Sequence, residues 1–129
     1  MVKILVIDDE KATLSMFRLF LEAYEYKVLT AENGTEGLEM FAREKPAIVI
    51  TDIKMPGIDG LAVLQRIKDI DPKAGVIVIT GHGDADLTQQ ALASNAVNFI
   101  HKPINRDALD AALKKARQRL GLTENNGSL

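Results

Sequence analysis

Three carboxylates stand in a row at Asp8, Asp9 and Glu10, and a fourth, Asp52, follows a separate apolar run. Farther along come a hydroxyl at Thr80 and an ammonium at Lys102, the latter directly before Pro103. Acids brought together repel, and each raises the pKa of the others unless a cation joins them. At a separation of about 4 Å two like charges cost about 4 kcal/mol at an effective dielectric of roughly 20. With oxygen donors only, that cation is a hard one. Mg²⁺ (or Mn²⁺) takes one or two carboxylates, keeps several waters and completes its shell with phosphate oxygens; Ca²⁺ would want more protein oxygens. Lys102 offers a point charge suited to phosphate, and Thr80 a hydroxyl donor. Asp52 is the natural nucleophile, because an aspartate can form an acyl phosphate, and Asp8 and Asp9 are better placed as metal holders. The loose transition state of phosphoryl transfer asks for positioning and charge more than for acid–base chemistry.

These side chains can cooperate only if the chain gathers them, and the hydrophobic rhythm says how. Short apolar runs rich in Val and Ile recur at Val2–Ile7, Lys27–Ala31, Ala47–Thr51, Val76–Thr80 and Val97–Ile100. The first, third and fourth are nearly continuous, as strands covered on both faces of a parallel sheet are. The second is more polar, as an edge strand would be. Between the runs lie helical stripes: Leu14, Phe17 and Leu21; Leu38 and Phe41; Leu61, Leu64 and Ile67; Leu87 and Ala91; Leu109, Ala112, Leu113 and Ala116. The fourth is the least apolar and should have a narrow packing face. Asn105 is placed to cap the last helix. Alternation of this kind implies βαβ units and right-handed crossovers, hence a single α/β domain of (βα)5 type. In such a sheet ligands sit outside the carboxyl ends of the strands. Asp8, Asp9, Asp52, Thr80 and Lys102 all follow strand ends, so they share one edge if strands one, three, four and five are neighbours.

Composition narrows the field further. The chain has 129 residues, 47% of them hydrophobic and 26% charged, which suits one soluble globular domain with a real core. There is no cysteine, so disulfides, thiolate zinc sites and cysteine nucleophiles are excluded. The net charge of −2 speaks against binding nucleic acid through the domain's own field. The first apolar run is too short for a signal peptide or a membrane span, and the expected location is the cytoplasm. Residues 1–120 read as the folded domain, and Gly121–Leu129 as a polar tail or linker stub.

Order and spacing together carry a resemblance. IDD at 7–9, TDIKMPGIDG at 51–60, ITG at 79–81 and NFIHKPI at 98–104 are similar to the four signatures of response-regulator receiver domains, and the likeness spans roughly residues 2–119. It implies a flavodoxin-like, doubly wound sheet with strand order 2-1-3-4-5. It implies that Asp52 is the phosphoacceptor and that Asp8, Asp9, Asp52 and the backbone carbonyl of Lys54 hold Mg²⁺. Lys102 would meet the phosphoryl oxygens, and Thr80 and Phe99 match the family's switch positions. A cis peptide bond between Lys102 and Pro103 is also implied. The implied partners are a histidine kinase or phosphotransfer protein upstream and a downstream protein or output domain; a phosphorylation-dependent homodimer is among the arrangements the family uses. On this reading the domain is a phosphoacceptor rather than an enzyme. Two positions depart from the commonest pattern. Gly81 replaces the usual Ala, which should loosen the TGHGD loop, and Asn95 replaces a helix-ending Gly, a place where Asn tolerates the left-handed conformation.

Taken singly, each feature has an ordinary explanation. Asp8, Asp9 and Glu10 could cap the first helix; Asp52 could begin the turn MPGIDG; Phe99 could be core. His82 and His101 lack the third nitrogen a histidine metal site wants. His82 and Lys54, each two residues past a site residue, are placed to tune how long an acyl phosphate lasts. Lys114, Lys115, Arg117 and Arg119 read as the solvated cationic end of a helix rather than a DNA contact. An aspartate-based phosphohydrolase would carry Asp-x-Asp after the first strand, and a flavin or nucleotide module would carry a Gly/Ser/Thr-rich loop there. DDEKATLS is neither.

Overall fold

The apolar runs become five parallel strands and the stretches between them five helices. A computed structural model describes residues 1–122, in the order β1 (Lys3–Ile7), α1 (Lys11–Ala23), β2 (Lys27–Ala31), α2 (Gly34–Glu44), β3 (Ile48–Asp52), α3 (Gly60–Ile70), β4 (Gly75–Thr80), α4 (Ala85–Ala93), β5 (Asn98–His101) and α5 (Arg106–Arg119). The sheet order is β2-β1-β3-β4-β5. The three nearly continuous runs are thus its three central strands, and the more polar β2 lies at an edge. Residues 123–129, most of the stretch read as a tail, lie outside the described residues.

Strand periodicity sorts the helices into two layers. Ile4, Val6, Ile48, Ile50, Ile77 and Ile79 point to one face, where they meet Leu14, Phe17 and Leu21 of α1 and Leu109, Ala112, Leu113 and Ala116 of α5. Their neighbours Leu5, Ile7, Val49, Val76 and Val78 point to the other, against Phe41 of α2, Val63, Leu64 and Ile67 of α3 and Ala91 of α4. Such strands must be apolar at every position, which is why their runs look continuous. α4 buries only Thr88 and Ala91, the narrow face its composition suggested.

Helix starts follow local chemistry. Asn33, Asp59 and Asn105 each accept a hydrogen bond from the backbone N–H three residues on, opening α2, α3 and α5. α1 has Glu10 at its cap position with no side-chain cap, so the acids after β1 are not spent on capping that helix. Asn95 takes a φ of 71°, the left-handed conformation expected of it. β3 and β5 run one residue beyond their apolar runs and take in Asp52 and His101. The reason is that the ladder outlasts the hydrophobic pattern: Ile53 N still donates to Ile79 O at 2.9 Å, and Lys102 N to Thr80 O at 2.8 Å. Among the described residues no helix is long and apolar enough to cross a membrane.

Candidate functional site

Register gathers the polar residues. Ile7 pairs with Thr51, Asp52 with Ile79 and Thr80 with His101. Asp8 and Asp9 beyond β1, Asp52 at the end of β3, Thr80 at the end of β4 and Lys102 beyond β5 therefore lie along one edge of four adjacent strands. Asp52 is buried, and its two carboxylate oxygens have separate partners. Oδ2 accepts from Lys102 Nζ at 3.1 Å, and Oδ1 accepts from the backbone N–H of Lys54 at 3.3 Å. Gly60 explains the end of the TDIKMPGIDG motif. Its N–H donates to Ile53 O at 3.0 Å, and a Cβ there would run into the carbonyl oxygen of Asp52. The start of α3 thus packs directly on the Asp52 backbone.

Oxygens from Asp8, Asp9 and Asp52 all lie within 4.8 Å of one another. Asp8 is fully buried; its Oδ1 accepts from the Glu10 N–H at 2.8 Å, while Oδ2 has no hydrogen-bond partner. A buried carboxylate oxygen without a donor is costly unless something positive meets it. An all-oxygen donor set with one such atom fits a hard divalent cation. Asp9 and Glu10 are exposed, and Glu10 Oε1 lies 3.5 Å from Lys102 Nζ.

Burial raises the Asp8 carboxyl from 3.8 to about 6, against the lowering effect of the Glu10 N–H, and the charge of Asp52 adds to the rise. Mutual repulsion, the cause expected from the sequence, is real but secondary: loss of water does more than the neighbouring acid. Asp52 is also pushed up by burial, with Lys102 opposing. Lys102 loses solvation too, yet its hydrogen bond and attraction to Asp52 leave its pKa raised, so it stays an ammonium.

Thr80 is buried, and its Oγ1 lies 3.2 Å from His101 Nδ1; either atom can donate, according to the imidazole tautomer. Phe99 is 41% exposed, so it is not part of the core. The TGHGD loop is tighter than its glycines suggested. Asp84, buried, accepts from the Gly81 N–H through Oδ2 at 2.7 Å, while Lys54 Nζ stands 3.3 Å from Oδ1. Gly83, at φ 84°, is the glycine whose freedom the turn uses. Those bonds, the N–H of Gly81 first, hold the Asp84 carboxyl below its ordinary range. His82 is exposed on this loop, and the Lys102–Pro103 peptide bond is cis.

Sequence reasoning overlooked Asp84 and the contact made by His101. Asp84 had a signal: an acid three residues after a glycine, immediately before a helix. His101 had none, since only strand pairing sets it beside Thr80. Arg117 is buried rather than solvated: four residues after Leu113, it falls on the buried stripe of α5, donates to Tyr26 Oη at 3.1 Å and stands over that ring. Lys114, Lys115 and Arg119 are exposed as expected.

Residues 4–114 match the family model described as the response regulator receiver domain. The chain is 35% identical over 98% of its length to the C4-dicarboxylate transport transcriptional regulatory protein DctD of Rhizobium meliloti, spanning 27% of that protein. It is 33% identical over 88% of its length to the sporulation initiation phosphotransferase F of Bacillus subtilis, spanning 91% of it. Among solved structures, a response regulator receiver domain protein from Clostridium thermocellum aligns with a TM-score of 0.85 at 38% identity, covering 94% of this chain and 95% of that one. A family match over most of the chain, a relative of nearly equal length and a shared fold agree with the acidic strand edge. The chain belongs to the response-regulator receiver domains of two-component systems, a family of phosphoacceptor domains.

Proposed function

We propose that this chain takes a phosphoryl group onto Asp52 from a histidine kinase or phosphotransfer protein and relays that event through the surface made by α4, β5 and α5. The observation that carries the reading is the buried Asp52 carboxylate, 3.1 Å from the Lys102 ammonium and beside the partnerless oxygen of Asp8. Asp8, Asp9, Asp52 and the Lys54 carbonyl are the groups that would hold Mg²⁺ (or Mn²⁺). The bound ion supplies positive charge against the acids and the phosphoryl oxygens.

Asp52 attacks phosphorus as the bond to the donor's imidazole nitrogen breaks; that nitrogen leaves with the electron pair and takes up a proton from solvent. Lys102 moves from the carboxylate to a phosphoryl oxygen, offsetting its charge. The Thr80 hydroxyl donates to another phosphoryl oxygen, and Phe99, exposed in this state, changes rotamer. The weakly anchored α4 suits a population shift of that face toward a downstream protein, an output domain or a second copy. Lys54 and His82 border the edge and set water access to the acyl phosphate. Substituting both should change its hydrolysis rate; an unchanged rate removes them from that role. The chain spans about a quarter of the length of relatives such as DctD; a cytoplasmic location, and a downstream protein partner or an output domain, are part of this proposal. Direct binding of nucleic acid by this chain, and a membrane partner, are not part of the proposal.

Intact mass after incubation with Mg²⁺ and phosphoramidate, beside Asp52→Asn, is the test. A single adduct that needs Mg²⁺ and disappears in the variant is expected. An adduct that persists in Asp52→Asn moves the nucleophile elsewhere, and no adduct from any donor, including a kinase, ends the reading.

A further inference from the structure

We infer that His101 is a positioning residue for the switch: it holds the Thr80 hydroxyl in the resting chain and so sets how readily the phosphorylated arrangement forms. The inference rests on the phosphoacceptor reading of Asp52 and deepens it. Thr80 and His101 are paired across the β4–β5 ladder, and the buried hydroxyl has its hydrogen bond to His101 Nδ1 at 3.2 Å. A buried hydroxyl keeps a partner. In the tautomer with its proton on Nε2, Nδ1 accepts from the hydroxyl, and Thr80 must then leave the imidazole before it can donate to a phosphoryl oxygen on Asp52.

The position of His101 makes that bond releasable. Residues two apart on a strand share a face, so His101 stands beside Phe99, and both are exposed. Together with Thr80 and His82 they line a cavity of about 350 Å³ between β5 and the start of α4. The ring can therefore swing into the cavity or into water without breaking core packing. Resting and phosphorylated arrangements compete for one hydroxyl, and a net hydrogen bond of this kind biases a two-state equilibrium by roughly two- to tenfold.

The test uses beryllofluoride with Mg²⁺ as the acyl-phosphate mimic, with its apparent affinity followed by ¹⁹F NMR. His101→Ala should bind it roughly two- to tenfold more tightly than wild type. His101→Asn, whose amide can take the place of Nδ1, should restore the wild-type value. In a Thr80→Val background His101→Ala should have no effect, because the hydroxyl is gone. The resting ¹⁵N resonance of His101 Nδ1 should also move on Thr80→Val. Equal affinity in His101→Ala and wild type, or an effect that survives in Thr80→Val, overturns the inference while leaving Asp52 as phosphoacceptor. Wild-type protein that binds no beryllofluoride in an Asp52-dependent way overturns both.

Discussion

The Lys102 ammonium lies 3.1 Å from Asp52 Oδ2, joining a residue just beyond β5 to one at the end of β3 over the intervening β4. The pair spans the edge where the other acids gather, and it is the contact that keeps a buried Asp52 from rising further.

Removing that cation leaves burial opposed only by the Lys54 N–H. Lys102→Ala should slow adduct formation from phosphoramidate by roughly tenfold or more, as loss of a transition-state charge partner does. It should also lower stability by about 1–2 kcal/mol, less than for a fully buried pair, since Lys102 is 35% exposed. Mass time courses and urea unfolding check the two effects. An adduct rate equal to wild type would remove Lys102 from the chemistry.

Asp8 makes a prediction with a sign. Its carboxyl titrates near 6 in the folded chain against 3.8 ordinarily, so the folded state binds its proton more tightly. Its favourable contribution is whole below the ordinary value and is lost as pH climbs from there through the folded value. Without divalent ions, Asp8→Asn should therefore match wild type in acid and exceed it above pH ~6 by up to about 3 kcal/mol. Adding Mg²⁺ should stabilise wild type and leave the variant unmoved. Urea midpoints across this range, with and without Mg²⁺, decide it; a gap that widens toward acid would contradict the assignment.

Gly60 should tolerate no side chain. A Cβ there meets the Asp52 carbonyl and the Ile53 backbone, which cannot turn aside as a flexible side chain could. Gly60→Ala should cost about 1–3 kcal/mol. It should also shift the amide resonances of Asp52 and Lys54 more than those of α5. Wild-type stability in this variant would mean that α3 relaxes away from the strand end.

Asp84 and Lys54 share an ion pair but should differ in weight. Asp84 is buried and ties the loop through the Gly81 N–H, whereas Lys54 is 67% exposed. Asp84→Ala should cost about 1–2 kcal/mol and speed amide exchange at Gly81. Lys54→Ala should cost under about 0.5 kcal/mol. Because the Asp84 carboxyl is held low, its contribution is whole above the ordinary carboxylate value and is lost as pH falls from there through the lowered folded value. Equal losses from the two substitutions would mean that the ion pair, not the loop bond, carries the stability.

How much was legible in the sequence follows from what each signal depends on. Continuous Val/Ile runs and helical stripes depend on local burial, which each segment declares for itself, so the (βα)5 alternation, the polar edge strand β2 and the thin face of α4 could all be read directly. Acid and lysine positions after strand ends placed the candidate chemistry, because strand polarity alone says which end of each strand faces the edge. Strand order came from family resemblance, since alternation is compatible with several orders. Pairings between strands had no local signature. The Thr80–His101 bond, the Lys54–Asp84 pair and the Arg117–Tyr26 contact join residues far apart in sequence, and register, helix packing and loop closure bring them together. The balance of causes at Asp8 was hidden for the same reason. Its neighbours in charge could be counted along the chain, but the loss of water that dominates its pKa exists only once β1 is covered on both faces.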